Sequence, residues 1–110
     1  MDSTSLTQLV TDHLAKAETS SAGRSAHTVY GGQEHTLRQT LIALAAGEGL
    51  DDHESPGEAT LQVLHGRVRL ATSSQEWEGG VGEHLILPPE RHNLKASEPS
   101  AVLLTVAIRR

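Results

Sequence analysis

Two stretches with similar internal spacing constrain how this 110-residue chain can fold. The first, Gly47 to Gly66, begins with a glycine-flanked acidic loop, reaches His53, turns at Ser55-Pro56-Gly57 and continues through apolar residues to a turn glycine. The second, Gly82 to His92, passes from glycine through a short apolar segment and a proline pair to histidine. Because glycine and proline interrupt regular structure, the first stretch predicts loop, strand and turn, and the second predicts a short strand that ends before its histidine.

Short apolar segments separated by turn residues recur along the rest of the chain. They predict strands at 27–30, 36–44, 59–64, 67–71, 85–87, 92–96 and 101–108, with a loop at 45–52. The last segment, AVLLTVAI, is apolar enough to be buried on both faces. Several short strands at turn-separated intervals indicate a mainly β sandwich or barrel.

The N-terminal region predicts one amphipathic helix, from Ser5 to about Ala17. Apolar residues recur there at three- and four-residue spacing. His13 lies on the same apolar face, and we expect it to be a packing residue. Ser5 and Gln8 have the spacing of a capping box. Residues 20–25, SSAGRS, are small and polar, and predict a linker. We therefore expect residues 1–25 to form a helix and linker, and residues 26–110 to form one β-barrel domain.

Composition excludes several classes of function. The chain has no cysteine, and therefore neither a disulfide framework nor a Cys-based zinc site. Its formal charge of −5 argues against nucleic acid as a partner, because phosphate binding requires clustered positive charge. The start predicts no signal peptide, and no segment is long and apolar enough to span a bilayer, so we expect a cytoplasmic protein that does not bind membranes.

The two opening stretches resemble the paired motifs of the cupin superfamily of small β-barrels. The first cupin motif reads Gly, five residues, His, one residue, His, three or four residues, Glu, six residues, Gly. The second motif reads Gly, five residues, Pro, one residue, Gly, two residues, His. Gly47, His53 and Gly66 fall into the frame of the first motif, and the HxHPxE core common in the family is represented by His53, Ser55, Pro56 and Glu58. The second motif is represented by Gly82, Pro88 and His92. The resemblance covers roughly residues 35–108 and implies a double-stranded β-helix, the jelly-roll barrel. In the sequence, the short N-terminal helix precedes this barrel.

The chain also departs from these motifs at positions that matter for metal binding. Ser55 is found where the second histidine is expected, and Ala59 is found where a Glu or Gln ligand usually falls. In the second motif, Glu90 replaces the glycine and His92 comes one residue early. Glu58 is one residue from the Glu position, and strand alternation would turn it to the opposite face.

The resemblance implies that His53 and His92 face each other inside one end of the barrel. Two neutral imidazoles can bind a divalent transition metal such as Zn, Fe, Ni, Cu or Mn, but stable protein sites usually have three or more ligands. Polar groups that could contact a ligand in an aliphatic pocket are Gln39, Ser55 and Arg91. The sequence identifies no catalytic residue.

Three functions remain open from the sequence. The first is a cupin-like protein that binds a small molecule in the barrel interior without turnover, for sensing or sequestration. The second is a metal-dependent oxygenase or isomerase that uses His53 and His92. The third is a structural or interaction module with a filled interior. The resemblance, the extra helix and the first strand also predict a homodimer.

Overall fold

The computed structural model describes residues 1–55 and 57–108, which form one helix and nine strands. The helix is α1, Leu6–Thr19. The strands are β1 Arg24–Tyr30, β2 Leu37–Leu44, β3 Gly49–His53, β4 Glu58–His65, β5 Arg67–Ala71, β6 Glu76–Gly80, β7 His84–Ile86, β8 His92–Ala96 and β9 Ser100–Ala107. The predicted mainly β fold with a short N-terminal helix is confirmed.

The strands form two antiparallel sheets that share one core. In the described part of the chain, the first sheet has the order β1-β2-β9-β4-β7 and the second has the order β3-β8-β5-β6. Strands that are distant in sequence are neighbours in both sheets, as in a jelly roll. The core cluster contains Ile42 and Val102 from the first sheet and Val68 and Leu94 from the second, so the two sheets pack face to face.

Strand alternation determines which residues of the first sheet face this core. In β2, Ile42 and Leu44 belong to the core cluster, whereas Leu41 and Ala43 are fully buried but do not. The odd-numbered residues of β2 therefore lie on the outer face of the sheet. Helix α1 contacts β1, β2 and β9, so it covers this outer face. Helix α1 therefore packs against the outside of the barrel.

The start of α1 matches only half of the predicted capping box. Ser5 is the N-cap, and its Oγ accepts a hydrogen bond from the backbone N–H of Gln8 at 3.1 Å. The side chain of Gln8 donates to Asp12 instead, with Nε2 at 2.9 Å from Oδ1. Helix α1 has 14 residues, and no helix in the described residues is long and apolar enough to cross a membrane.

Tertiary pairing outweighs local composition at two places where the structure forms a strand and the sequence predicts a linker or loop. Strand β1 begins at Arg24, inside the predicted linker, because Arg24 pairs with Leu44 of β2. Strand β3 falls in the predicted loop at 45–52, because its residues pair with β8. Gly49 allows this pairing, since a Cβ there would clash with the carbonyl oxygen of Leu94.

Candidate functional site

The two motif histidines meet at one end of the barrel, where β3 ends and β8 begins. His53 and His92 are paired in register between these strands. A register shift between Leu50 and His53 inserts one extra residue into β3 just before the histidine. Because Leu94 and Ala96 of β8 belong to the core cluster, strand alternation directs His92 to the same interior side.

The two imidazole rings are in direct contact and are oriented by the backbone. Their centroids are 4.4 Å apart, and the ring planes meet at 70° in an edge-to-face arrangement. The Nδ1 of His53 lies 2.9 Å from the carbonyl oxygen of Asp51, and the Nδ1 of His92 lies 2.8 Å from that of Glu90. A carbonyl oxygen can only accept, so each Nδ1 carries the proton and donates it. In the neutral ring, each Nε2 is then left as an acceptor or metal ligand.

The two histidines differ in burial. The side chain of His53 is half-buried, whereas His92 is only 3% exposed. Within the described residues, no buried side-chain nitrogen or oxygen lacks a hydrogen-bond partner. The hydrogen bond of His92 uses Nδ1. Its Nε2 is therefore the ring nitrogen left for a ligand.

The residues around this pair do not complete a metal site. Ala59, at the position where the resemblance places a Glu or Gln ligand, is 4% exposed and part of the hydrophobic core. Glu58 is exposed on the opposite face, as strand alternation predicts. The hydroxyl of Ser55 donates to the carbonyl oxygen of Gly57 at 3.1 Å. Residues 1–55 and 57–108 contain no group of three His, Asp or Glu side chains that could hold a metal ion. They therefore do not fit the three-ligand metal centre that the fold implies.

A small cavity of about 110 Å³ lies at the same end of the barrel, between β6 and β7. Its apolar wall includes Leu70, Trp77 and Leu85. Thr72 also lines it and directly follows Ala71, which pairs with Asn93 of β8. His92 precedes Asn93, so the cavity and the histidine pair lie at the same end of the barrel, although neither histidine lines the cavity.

Trp77 was not among the predicted ligand-binding residues. In the sequence EWEGG, the two acidic residues alternate with Trp77 and Gly79. The structure turns Glu76 and Glu78 to the exposed side of β6 and packs Trp77 against the core. This alternation is the sequence signal that could have placed Trp77 inside the barrel.

The predicted ligand residues Gln39 and Arg91 do not line the barrel interior. Gln39 is odd-numbered in β2 and therefore lies on its outer face, where its Nε2 donates to the Oγ1 of Thr105 at 3.3 Å. A ligand inside the barrel would be on the other side of the sheet. The guanidinium group of Arg91 forms an exposed ion pair with Glu54 at 3.1 Å and donates to the carbonyl oxygen of Asp52. Arg91 thus orders the loop beside the histidines.

A second histidine pair lies under the helix, away from this site. His13 is 6% exposed, and its ring is 5.2 Å from that of His27. Its Nδ1 lies 2.6 Å from the Oγ of Ser25 in β1. Burial, followed by the nearby charges of Lys16 and His27, lowers the pKa of His13. The predicted packing role of His13 is confirmed, because its ring contacts Ser25 and His27 of β1.

Comparison with known proteins identifies similar folds but no close relative. No family model and no curated protein sequence matches the chain significantly. A conserved protein of unknown function from Streptococcus pyogenes is similar over 83% of this chain and 79% of its own, with a TM-score of 0.73 and 24% identity. A cupin superfamily protein from Desulfitobacterium hafniense is similar over 78% of each chain, with a TM-score of 0.71 and 16% identity.

An enzyme also shares this architecture. Salicylate 1,2-dioxygenase from Pseudoaminobacter salicylatoxidans matches 91% of this chain with a TM-score of 0.75 and 17% identity, although the match covers only 34% of the enzyme. The predicted resemblance is therefore confirmed at the level of the fold. With its two facing sheets, its jelly-roll strand order and its N-terminal helix, this chain has the cupin fold.

Proposed function

We propose that this protein binds a small molecule at the barrel end formed by His53 and His92, and that it serves sensing or sequestration rather than turnover. The observation that carries this proposal is the orientation of the two imidazoles. Both Nδ1–H groups are held by backbone carbonyls, at 2.9 and 2.8 Å, so both Nε2 atoms are pre-oriented as acceptors. A few convergent polar groups beside an apolar wall are typical of small-molecule sites.

The composition of the site supports binding over metal-dependent chemistry. A catalytic metal site usually has three protein ligands and an open position. The described residues supply two imidazoles, while Ala59 adds an apolar surface where a third ligand would be needed. An organic ligand requires only hydrogen-bonding groups and a wall, and Trp77 and Leu85 supply an apolar wall at the same end of the barrel.

Trp77 provides a direct test, because it is the single tryptophan of the chain and lines the cavity. Metal-free protein would be titrated with a library of small metabolites while the Trp77 emission is recorded. We expect at least one compound to shift the emission saturably, and His53→Ala and His92→Ala variants that retain their fold to weaken this binding. If no compound binds, or if binding is unchanged in both variants, the proposal is wrong.

A metal-dependent oxygenase or isomerase is the second candidate. One observation favours it: metal-binding histidines usually donate their second ring N–H to a carbonyl or carboxylate, as both histidines do here. The similarity in fold to a dioxygenase is compatible with this function. Elemental analysis of tag-free protein after dialysis against each divalent metal tests it. Near-stoichiometric metal that is lost in the His53→Ala variant would favour the enzyme over the binding protein.

We also propose that the protein is a homodimer. Strand β1 is at the edge of the five-stranded sheet formed by the described residues, and Tyr30 at its end is 49% exposed. An exposed strand edge can pair with another chain. Light scattering of the purified protein tests this proposal, and a monomeric mass at all accessible concentrations would contradict it.

A further inference from the structure

We propose that the histidine site selects ligands that carry a hydrogen-bond donor, either a hydroxyl group or a protonated amine, on a short apolar body. This inference rests on the proposed binding function and specifies its ligand class. Carboxylates and phosphates are predicted to be rejected. Three features of the barrel end support this selectivity: the hydrogen-bonding state of the rings, the charge around them and the size of the adjacent cavity.

The hydrogen bonds of the two rings determine what they can offer a ligand. The carbonyl oxygens of Asp51 and Glu90 occupy both Nδ1–H groups. A neutral imidazole has one donor and one acceptor, so each ring has only its Nε2 lone pair left. A hydroxyl or ammonium group can donate to this atom. A carboxylate has no proton to donate and would place its oxygen against the lone pair, at the cost of its own hydration.

The charged groups near this end also favour a neutral or cationic ligand. Among the described residues, Asp52 and Glu54 flank His53, and Glu90 lies two residues before His92. Two more carboxylates, Glu58 and Glu76, begin the strands β4 and β6 at this end. Three guanidinium groups lie near them. Arg91 is paired with Glu54, Arg69 is paired with Glu76 at 3.2 Å, and Arg38 donates to backbone carbonyl oxygens of residues 33 and 35. This leaves Asp52, Glu58 and Glu90 against Arg38. The resulting negative potential disfavours an anion and attracts a cation.

The adjacent cavity limits the apolar part of the ligand. Its volume of about 110 Å³ is well below that of a drug-sized site. It corresponds to about four water molecules at roughly 30 Å³ each, which is room for a chain of about four carbons. Thr72 of the cavity follows Ala71, whose strand partner Asn93 follows His92, so the proposal places the donor at the end of such a chain toward the histidine pair.

The test uses three probes that share a butyl chain and differ in the head group: 1-butanol, 1-butylamine and pentanoate. Each is titrated into metal-free protein at about pH 8, above the usual pKa of imidazole. Binding is measured by Trp77 emission and by the imidazole ¹⁵N resonances. We expect the alcohol and the amine to bind and to shift the Nε2 resonances. Pentanoate should bind about tenfold more weakly or not at all, as expected for the loss of one good hydrogen bond.

The outcomes separate this inference from the function on which it rests. If pentanoate binds as tightly as the alcohol and the amine, the site binds small molecules but the donor preference is wrong. If none of the probes changes either signal, both the preference and the binding function are wrong. Tight binding of the two donor probes with a weak response to pentanoate supports both.

A pair of matched variants links the preference to the proposed atoms. His53→Phe and His92→Phe each retain a ring of similar shape but remove one Nε2 acceptor. In either variant that retains a wild-type circular dichroism spectrum, the advantage of the alcohol over pentanoate should shrink several-fold. His65→Phe is the control, because His65 is exposed at the C-terminal end of β4, whereas the site adjoins the start of that strand. An unchanged preference in both site variants would overturn the inference.

Discussion

Removing either histidine of the pair should weaken binding, but only one removal should greatly reduce stability. His92 is 3% exposed and lies in the interior, whereas His53 is half-buried at the end of β3. Each ring donates one hydrogen bond to a carbonyl two residues before it. The local hydrogen bonds are therefore alike, and the difference in cost between His53→Ala and His92→Ala reflects burial.

The expected magnitudes follow from this difference. Replacing a buried large side chain with alanine typically costs about 2–5 kcal/mol, through lost contacts and the cavity that remains. The imidazole ring is partly polar, so we expect His92→Ala to cost about 2–4 kcal/mol, including about 1 kcal/mol for the lost hydrogen bond to Glu90. His53→Ala leaves a site that water can fill, and should cost about 1 kcal/mol or less.

Urea denaturation followed by Trp77 emission and far-ultraviolet circular dichroism measures both variants. With a urea dependence of about 1–3 kcal/mol per molar, the midpoint should fall by roughly 1–3 M for His92→Ala and by well under 1 M for His53→Ala. Equal costs, or a larger cost for His53→Ala, would refute the reasoning. A protein that unfolds when His53 is replaced would instead favour the structural module, because a ligand-binding group at a barrel end should be dispensable for folding.

Three further predictions follow from other parts of the chain. Burial lowers the pKa of His13 in the folded protein, so the unfolded chain binds a proton more readily at this residue. The free energy of unfolding should therefore fall as the pH decreases below about 6.5. Thermal denaturation at two pH values should show a smaller pH dependence for His13→Gln than for wild type. Ser100→Ala should cost about 1–3 kcal/mol in urea denaturation, because the buried Ser100 Oγ accepts the backbone N–H of Arg67 at 3.0 Å, whereas exposed Ser97→Ala should cost less. In the presence of a chelator, Ala59→Glu should be less stable than wild type. A divalent metal at a hundredfold excess over its Kd should stabilise this variant, but not wild type, by about 2.7 kcal/mol. An equal effect of the metal on both proteins in calorimetry would contradict this.

The pairing of the motif histidines could be predicted because the resemblance to the cupin motifs implies that His53 and His92 face each other at one end of the barrel. The structure pairs the two rings there, and β8 begins at His92 as the preceding proline pair predicts. Alternation also predicts that Ala59 faces the core while Glu58 faces away, and this is confirmed. These properties depend only on neighbours in sequence and on the period of a strand.

The role of β2 could not be predicted, because both of its faces are apolar. Leu41 and Leu44 are both fully buried, but Leu41 packs on the outer face and Leu44 in the core. Sequence alone does not say which face a helix will cover, and Gln39 was therefore assigned to the interior. Strand β3 was missed for a related reason, since its sequence GLDDH has no apolar alternation and is ordered by pairing with β8.

Ala59 occupies the position at which the resemblance places a third metal ligand beside the histidine pair. An alanine at a position 4% exposed adds apolar surface to the core and requires no partner, whereas a carboxylate there would need a metal or a cation to offset its loss of hydration. The orientation of His53 and His92 does not depend on such a metal, because backbone carbonyls hold both Nδ1–H groups. The two acceptors are therefore fixed by the fold itself, which is the condition for selecting an organic donor at the same barrel end.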